Sequence, residues 1–322
     1  MLRFPTKVLS LVALLFLTGR SAHGQSEAPA QAPAAETGRH VPTPTEVIMP
    51  HITDSKEIEL PCFKSWAEWQ CAYELPVWNV RVGSRVIDMG PTKHVVFLAF
   101  AGVLCILMMF FVARSHERAS KSAGHPKGFA ASLEAIMLYL RNTVYMPVLG
   151  GHGGQAFVPF TLTLFFFISF CNYMGLFPWA STPTGNINVT AALALVTFLV
   201  TEIAGMRALG AGYIKTIIYI PPHDMPLIMK PVMMVIMSVI EAVSKITKPF
   251  ALTVRLFANM LAGHVIILAL ISLIFAFGMA AYPGILMALF IMGLEIIVAG
   301  VQAFLFSLLA AVFIGQIRAA HH

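Results

Sequence analysis

The chain has 322 residues, of which 58% are hydrophobic and only 11% charged. A soluble globular protein carries about 25% charged residues, so the composition excludes one and describes a chain that crosses a membrane several times. The net charge of +6 is no nucleic-acid signal, because the basic residues sit in short segments between apolar runs, where they orient membrane proteins.

Residues 1–24 read as a secretory signal. Arg3 and Lys7 begin it, Val8 to Leu17 form an apolar run, and Ala22-His-Gly24 offers small residues for cleavage. Its ten apolar residues fall short of the roughly 20 needed to cross a bilayer; an uncleaved anchor is the alternative. Residues 25–45, rich in Ala and Pro, read as a disordered linker. Residues 46–91 carry mixed charge with Trp66, Trp69, Tyr73 and Trp78 and form an extracytoplasmic segment. Weak alternation from Glu74 to Gly83 predicts a short strand or ribbon. Cys62 and Cys71 could pair in an oxidising compartment, which spacing alone leaves open.

The membrane domain covers residues 92–322, and an all-α polytopic fold is predicted: about five membrane-embedded helices and one in-plane helix. Val95 to Ala113 is the first span, followed by Arg114, Arg118, Lys121 and Lys127, which place that loop in the cytoplasm. From Gly128 to Tyr145, apolar residues recur at three- and four-residue steps, as in an amphipathic interfacial helix. His152 falls in a glycine-rich connector and is expected to be a solvated loop residue. Phe157 to Trp179 and Ile187 to Met206 are two further spans; Asn188 lies near the outer end and Glu202, at the inner end, reads as a surface residue.

Leu227 to Phe277 is helical in pattern almost throughout. At 1.5 Å per residue it would reach roughly 75 Å, more than double the hydrocarbon thickness, so it must tilt or begin outside the membrane. Ile285 to Arg318, at about 50 Å, is also overlong. The two form a tilted hairpin around the turn near Pro283.

Arg255 and His264 are embedded in this hairpin. A charge at the bilayer centre costs from a few to more than ten kcal/mol, and arginine cannot shed its proton to escape that cost. Two readings fit the segment alone: a functional charge within the span, or a flanking charge snorkelling to the surface. Glu241, Lys248, Arg255 and Asn259 lie on one helical stripe, within about 40° of Arg255. His264 lies about 180° around and roughly 13 Å further along. Antiparallel pairing puts Glu295 at the depth of His264, and Gln302 nearer Arg255. A His–Glu pair in a low-dielectric wall suits proton relay; a buried ion pair locking the hairpin is the structural alternative. Cys105 and Cys171 fall in apolar runs as buried small side chains, and no metal-ligand or cofactor motif occurs.

Three blocks carry a family resemblance: Phe157-Val-Pro-Phe-Thr-Leu-Thr-Leu-Phe-Phe-Phe167, Gly185-Asn-Ile-Asn-Val-Thr190, and Arg255-Leu-Phe-Ala-Asn-Met-Leu-Ala-Gly-His264 followed by Glu295 and Gln302. The chain resembles the subunit a family of F-type ATP synthases over roughly residues 93 to 318. The resemblance implies a stator subunit of the bacterial inner membrane, with a periplasmic amino terminus and a cytoplasmic carboxyl terminus. It would pass protons to a ring of c subunits, work beside the subunit b stalk, and use no cofactor or catalytic centre of its own. Arg255 would face the ring carboxylate, with Gln302 and Asn259 beside it. Asn188, His264 and Glu295 would line the periplasmic half-channel, and Glu241 the cytoplasmic exit. Some bacterial members carry a carboxylate at the position of His264 and a histidine at that of Glu295; here the pair is exchanged. Ala258 stands where glycine is frequent. A self-contained secondary transporter or channel is the main rival, against which no inverted repeat is visible. A membrane-embedded enzyme is the second.

Overall fold

Among the described residues, two short hairpins come before the helices. In the computed structural model, which describes residues 53–319 except 66–67, 83–84, 89, 122–127, 151–152, 178–179, 217, 219–228 and 278–281, β1 (Glu57–Ser65) pairs antiparallel with β2 (Glu68–Glu74). A second pair joins β3 (Asn79–Val82) to β4 (Arg85–Asp88). The ribbon expected between Glu74 and Gly83 is β3; β1 and β2 escaped prediction although Glu57-Ile-Glu-Leu60 and Glu68-Trp-Gln-Cys-Ala-Tyr-Glu74 alternate at period two. The signal, the linker and His152 lie outside the described residues, as do the side chains of Cys62 and Cys71.

Among the described residues, five helices are long and apolar enough to cross a membrane, which makes the chain an all-α polytopic membrane protein. They are α1 (Lys93–Lys121), α3 (Val158–Met174), α4 (Ile187–Leu209), α5 (Met229–Phe277) and α6 (Tyr282–Ala319). The shorter α2 (Phe129–Tyr139) runs on through a π-helical turn, Leu140–Tyr145, and one further helical turn, Met146–Leu149. His116 Nδ1 on α1 lies 3.2 Å from Glu134 Oε1 on α2. The apolar residues of α2 divide: Leu133 and Leu140 pack inward, while Phe129 and Ile136 are exposed.

The start of α4 shows why its block reads as it does. Asn186 is the N-cap, and its Oδ1 accepts from the Asn188 backbone N–H at 2.9 Å, satisfying one of the orphan donors of the first turn. Pro183–Gly185 form a 3₁₀ turn just before it. Thr184 Oγ1 donates to Asn172 Oδ1 at 2.7 Å, and Asn172 Nδ2 donates to the Ala299 carbonyl at 3.0 Å. A buried polar chain thus ties the loop to α3 and α6.

The core lies where α3, α4, α5 and α6 meet. Ala299, Ala303, Phe306 and Ala310 on α6 are buried against Leu164 and Ile168 of α3, Leu193 of α4, and Leu252, Leu256 and Met260 of α5. Small residues at four- and three-residue steps let helix backbones approach closely, which is how helices associate where lipid removes the hydrophobic drive. α5 has 49 residues and α6 has 38, roughly 74 and 57 Å of helix. Pro249 sits inside α5 without ending it, and Thr253 Oγ1 donates to the Pro249 carbonyl at 2.9 Å.

Candidate functional site

Arg255 lies well inside α5 and is exposed on the surface of the chain, with no hydrogen bond or ion pair among the described residues. Ala251, Ala258 and Ala262 share its exposed face at four- and three-residue steps. The guanidinium therefore stands in a strip of small side chains, past which another helix could pass closely. Apolar residues continue the exposed surface on either side, among them Phe250 and Val254 on α5 and Phe290, Ile297 and Val301 on α6.

One turn beyond Arg255, Asn259 Nδ2 donates to Gln302 Oε1 across the hairpin at 2.9 Å. Gln302 is buried. Gln302 thus meets Asn259, one helical turn from Arg255.

Glu295 is 7% exposed, and its Oε2 has no hydrogen-bond partner among the described residues. The carboxylate lies against Gly263, where a built Cβ would stand 2.6 Å from Oε1. Only glycine leaves room for it. Glu295 thus reaches the residue next to His264 in the chain. His264 lines a small cavity with His94, Ser181, Thr182, Gly185, Met260 and Leu261. Asn188, by contrast, is exposed on the first turn of α4, and only its backbone N–H joins the local bonding, through Asn186.

On the far side of Arg255, toward Arg318, two recesses adjoin. A groove of ≈ 340 Å³ is lined by Ser244, Thr247, Lys248, Ala251, Leu252, Arg255, Leu309 and Phe313. A cavity of ≈ 530 Å³ shares Lys248, Leu252 and Phe313 with it and adds Glu202, Glu241, Lys245 and Gln316. Glu241 thus faces a cavity that borders the arginine groove.

Glu202 is not the surface residue expected. Its side chain is 16% exposed, and Lys245 Nζ lies 3.4 Å from its Oε2. Lys245 also donates to Tyr213 Oη at 3.0 Å and to Thr216 Oγ1 at 3.2 Å, and lies 4.6 Å from the Tyr213 ring centroid. Sequence reasoning missed this knot because Lys245 lies 29 to 43 residues from its partners and no local pattern links them. It also missed His94, whose only sequence signal is a polar residue on the threshold of the first apolar run.

The family described as ATP synthase A chain matches residues 95–315, a stretch holding all of these site residues except His94 and Gln316. The chain belongs to the ATP synthase A chain family. It is 44% identical over 240 residues to "ATP synthase subunit a" of Chloroherpeton thalassium, covering 74% of this chain and 69% of that protein. It is 39% identical over 295 residues to "ATP synthase subunit a" of Anaeromyxobacter dehalogenans, covering 90% and 73%. It is 38% identical over 289 residues to "ATP synthase subunit a 2" of Chlorobium luteolum, covering 86% and 79%. As a member of the ATP synthase A chain family it is a multi-pass membrane protein, and the geometry around Arg255 is the place to seek its work.

Proposed function

We propose that this chain is the proton-translocating stator subunit of an ATP synthase, in which Arg255 separates two half-channels and faces the carboxylates of a rotating c-ring. The observation that carries the reading is the position of Arg255. It is a cation with no ion pair among the described residues, on the exposed, small-residue face of a membrane helix, and it borders a groove that adjoins the cavity holding Glu241.

The chemistry follows from those positions. A guanidinium keeps its proton, so a proton arriving from one recess cannot pass through Arg255 into the other. A ring carboxylate brought opposite Arg255 is favoured in its ionised form by the nearby positive charge, which drives proton release. Glu295, His264 and Asn188 belong to the entry side; Glu241, beside the ≈ 530 Å³ cavity, belongs to the exit. Asn259 and Gln302 hold the two helices in register at the arginine. Each charge crossing the membrane potential yields about 2.3 kcal/mol per 100 mV, enough over several steps to drive ATP formation in another part of the complex. This chain supplies no catalytic centre of its own.

The end of the bundle that carries His94 and the strands is assigned to the periplasm, and the Arg318 end to the cytoplasm of the bacterial inner membrane. Arg114, Arg118 and Lys121 on α1, Arg207 on α4 and Arg318 on α6 gather at that second end, as the positive-inside rule requires. The subunit b stalk is the natural stator partner.

Arg255→Ala in the assembled complex tests the reading. Proton-driven ATP synthesis is expected to be abolished while the complex still assembles; normal synthesis would remove Arg255 from the mechanism. Arg255→Lys is also expected to be severely impaired, since an ammonium lacks the planar fork and can lose its proton when desolvated.

A further inference from the structure

The first contact of this protein with an entering proton has no assigned residue, and one cluster at the strand end is built for it. His94, the second residue of α1, is 2% exposed. Its Nδ1 lies 3.1 Å from Ser181 Oγ and 3.6 Å from Asp54 Oδ1. Asp54 is held in turn: its Oδ2 accepts from Asn186 Nδ2 at 3.2 Å, and Asn186 is the residue that caps α4. The chain next to Asp54 is fastened to the same helix, because the Lys93 backbone N–H donates to the Ser55 carbonyl at 3.0 Å.

The carboxylate side chain of Asp54 is 26% exposed whereas the imidazole is 3% exposed. One end of the pair therefore meets water and the other is enclosed. On its inner side the histidine shares a cavity of ≈ 10 Å³ with His264, about the space one water molecule requires. From His264 the next residue, Gly263, abuts Glu295.

We infer that Asp54 and His94 form the proton-collecting station of this chain, and that His94 hands protons inward to His264. The inference rests on the proposed translocating role and extends it outward to residues beyond the matched family region. A proton from the aqueous side, drawn by the Asp54 carboxylate, is taken at Nδ1 by the neutral imidazole, whose resting proton is on Nε2. The imidazolium is stabilised by Asp54, and Ser181 Oγ accepts from Nδ1–H. With Nδ1 so engaged, Nε2 is the nitrogen that releases the proton into the cavity shared with His264. The ring is left neutral with its proton on Nδ1; a water-mediated shift of that proton to Nε2 restores the starting tautomer, and only N–H and O–H bonds are made or broken. The charged and titratable groups bearing on His94 are Asp54, the adjacent Lys93 and, across the cavity, His264. Lys93 opposes the imidazolium and so assists its discharge.

The test uses the complete ATP synthase complex in liposomes, with the pH varied separately on each side. His94→Gln preserves polarity and size but cannot relay a proton. Expected is a loss of proton uptake of about tenfold or more, confined to the strand-end side, with a flattened dependence on the pH of that side and unchanged dependence on the other. Wild-type rate and profile, or an equal loss at every pH, would overturn the assignment. If His94→Gln fails to assemble, Asp54→Asn decides. Its pH profile on that side is expected to move to lower pH, because the imidazolium loses its counter-charge; an unmoved profile rejects the station. Arg255→Ala run alongside separates the two ideas. Synthesis persisting in Arg255→Ala refutes the translocating role, whereas its loss beside a normal His94→Gln refutes only the collecting station.

Discussion

Asn259 and Gln302 join α5 to α6 through a single side-chain hydrogen bond of 2.9 Å, one helical turn from Arg255. That bond ties the two helices together at the depth where Arg255 emerges. Without it, the guanidinium could slide relative to the buried face of α6 at little cost, since the surrounding contacts are non-directional alanine and leucine packing.

Replacing Gln302 with Ala therefore leaves the Asn259 amide without its partner and loosens the site. The loss is about 1 kcal/mol of hairpin stability, and synthesis is expected to fall several-fold with the complex intact. Asn259→Ala and the double variant complete a cycle. The two single losses are expected to exceed the double loss when subtracted, by roughly 0.5 kcal/mol or more, as read from thermal melting of the purified complex. Strict additivity would show that the bond does not hold the register.

Gly263→Ala addresses the entry side. The added methyl would stand 2.6 Å from Glu295 Oε1, so the carboxylate must move away from its place beside His264. The expected outcome is slowed proton uptake at an unchanged level of assembled complex. Glu295→Gln combined with Gly263→Ala should then be no worse than Glu295→Gln alone, because the methyl acts only by displacing that acid.

The Lys245 knot closes the opposite end. Lys245→Met removes one cation from three oxygen partners, Glu202, Tyr213 and Thr216, and leaves Glu202 half-buried without a counter-charge. The cost is on the order of 2 kcal/mol, visible as a lowered melting temperature of the complex. Glu202→Gln in the Lys245→Met background should recover part of that loss, since it removes the stranded charge. No recovery would mean that the lysine acts through Tyr213 and Thr216 alone.

Tyr145 offers a pH test outside the spans. It is fully buried and shares a 2.7 Å hydrogen bond with Ser307. Burial pushes its hydroxyl from the usual 10.0 up to about 12, with the Ser307 bond acting in the lowering direction. The folded chain thus holds the proton more tightly than the unfolded one. This contribution to stability is complete below pH 10 and is lost as the pH climbs from there toward 12. Tyr145→Phe is expected to flatten that part of the alkaline melting profile; an unchanged slope would place the sensitivity elsewhere.

Much of the architecture was legible in the residues. Runs of apolar residues long enough to cross a bilayer, and too long in the case of α5 and α6, announce themselves because a membrane admits few ways to satisfy a backbone. Helical periodicity likewise put Glu241, Arg255 and Asn259 on one exposed face, since a position on a helix fixes a direction. The opposite orientation of His264 follows from the same geometry, and the structure turns it toward His94.

The residues alone therefore define the set of spans, the ionisable groups within them and the helical face that each occupies, all consequences of a fixed rise and rotation per residue. Which of those charges meet was decided only by the tertiary structure. Glu202 reaches Lys245 across 43 residues, Asp54 reaches His94 from the strand segment, and Glu295 settles against Gly263. Such partnerships depend on how closely small residues let two helices approach and on where a loop is pinned, quantities that no local periodicity records.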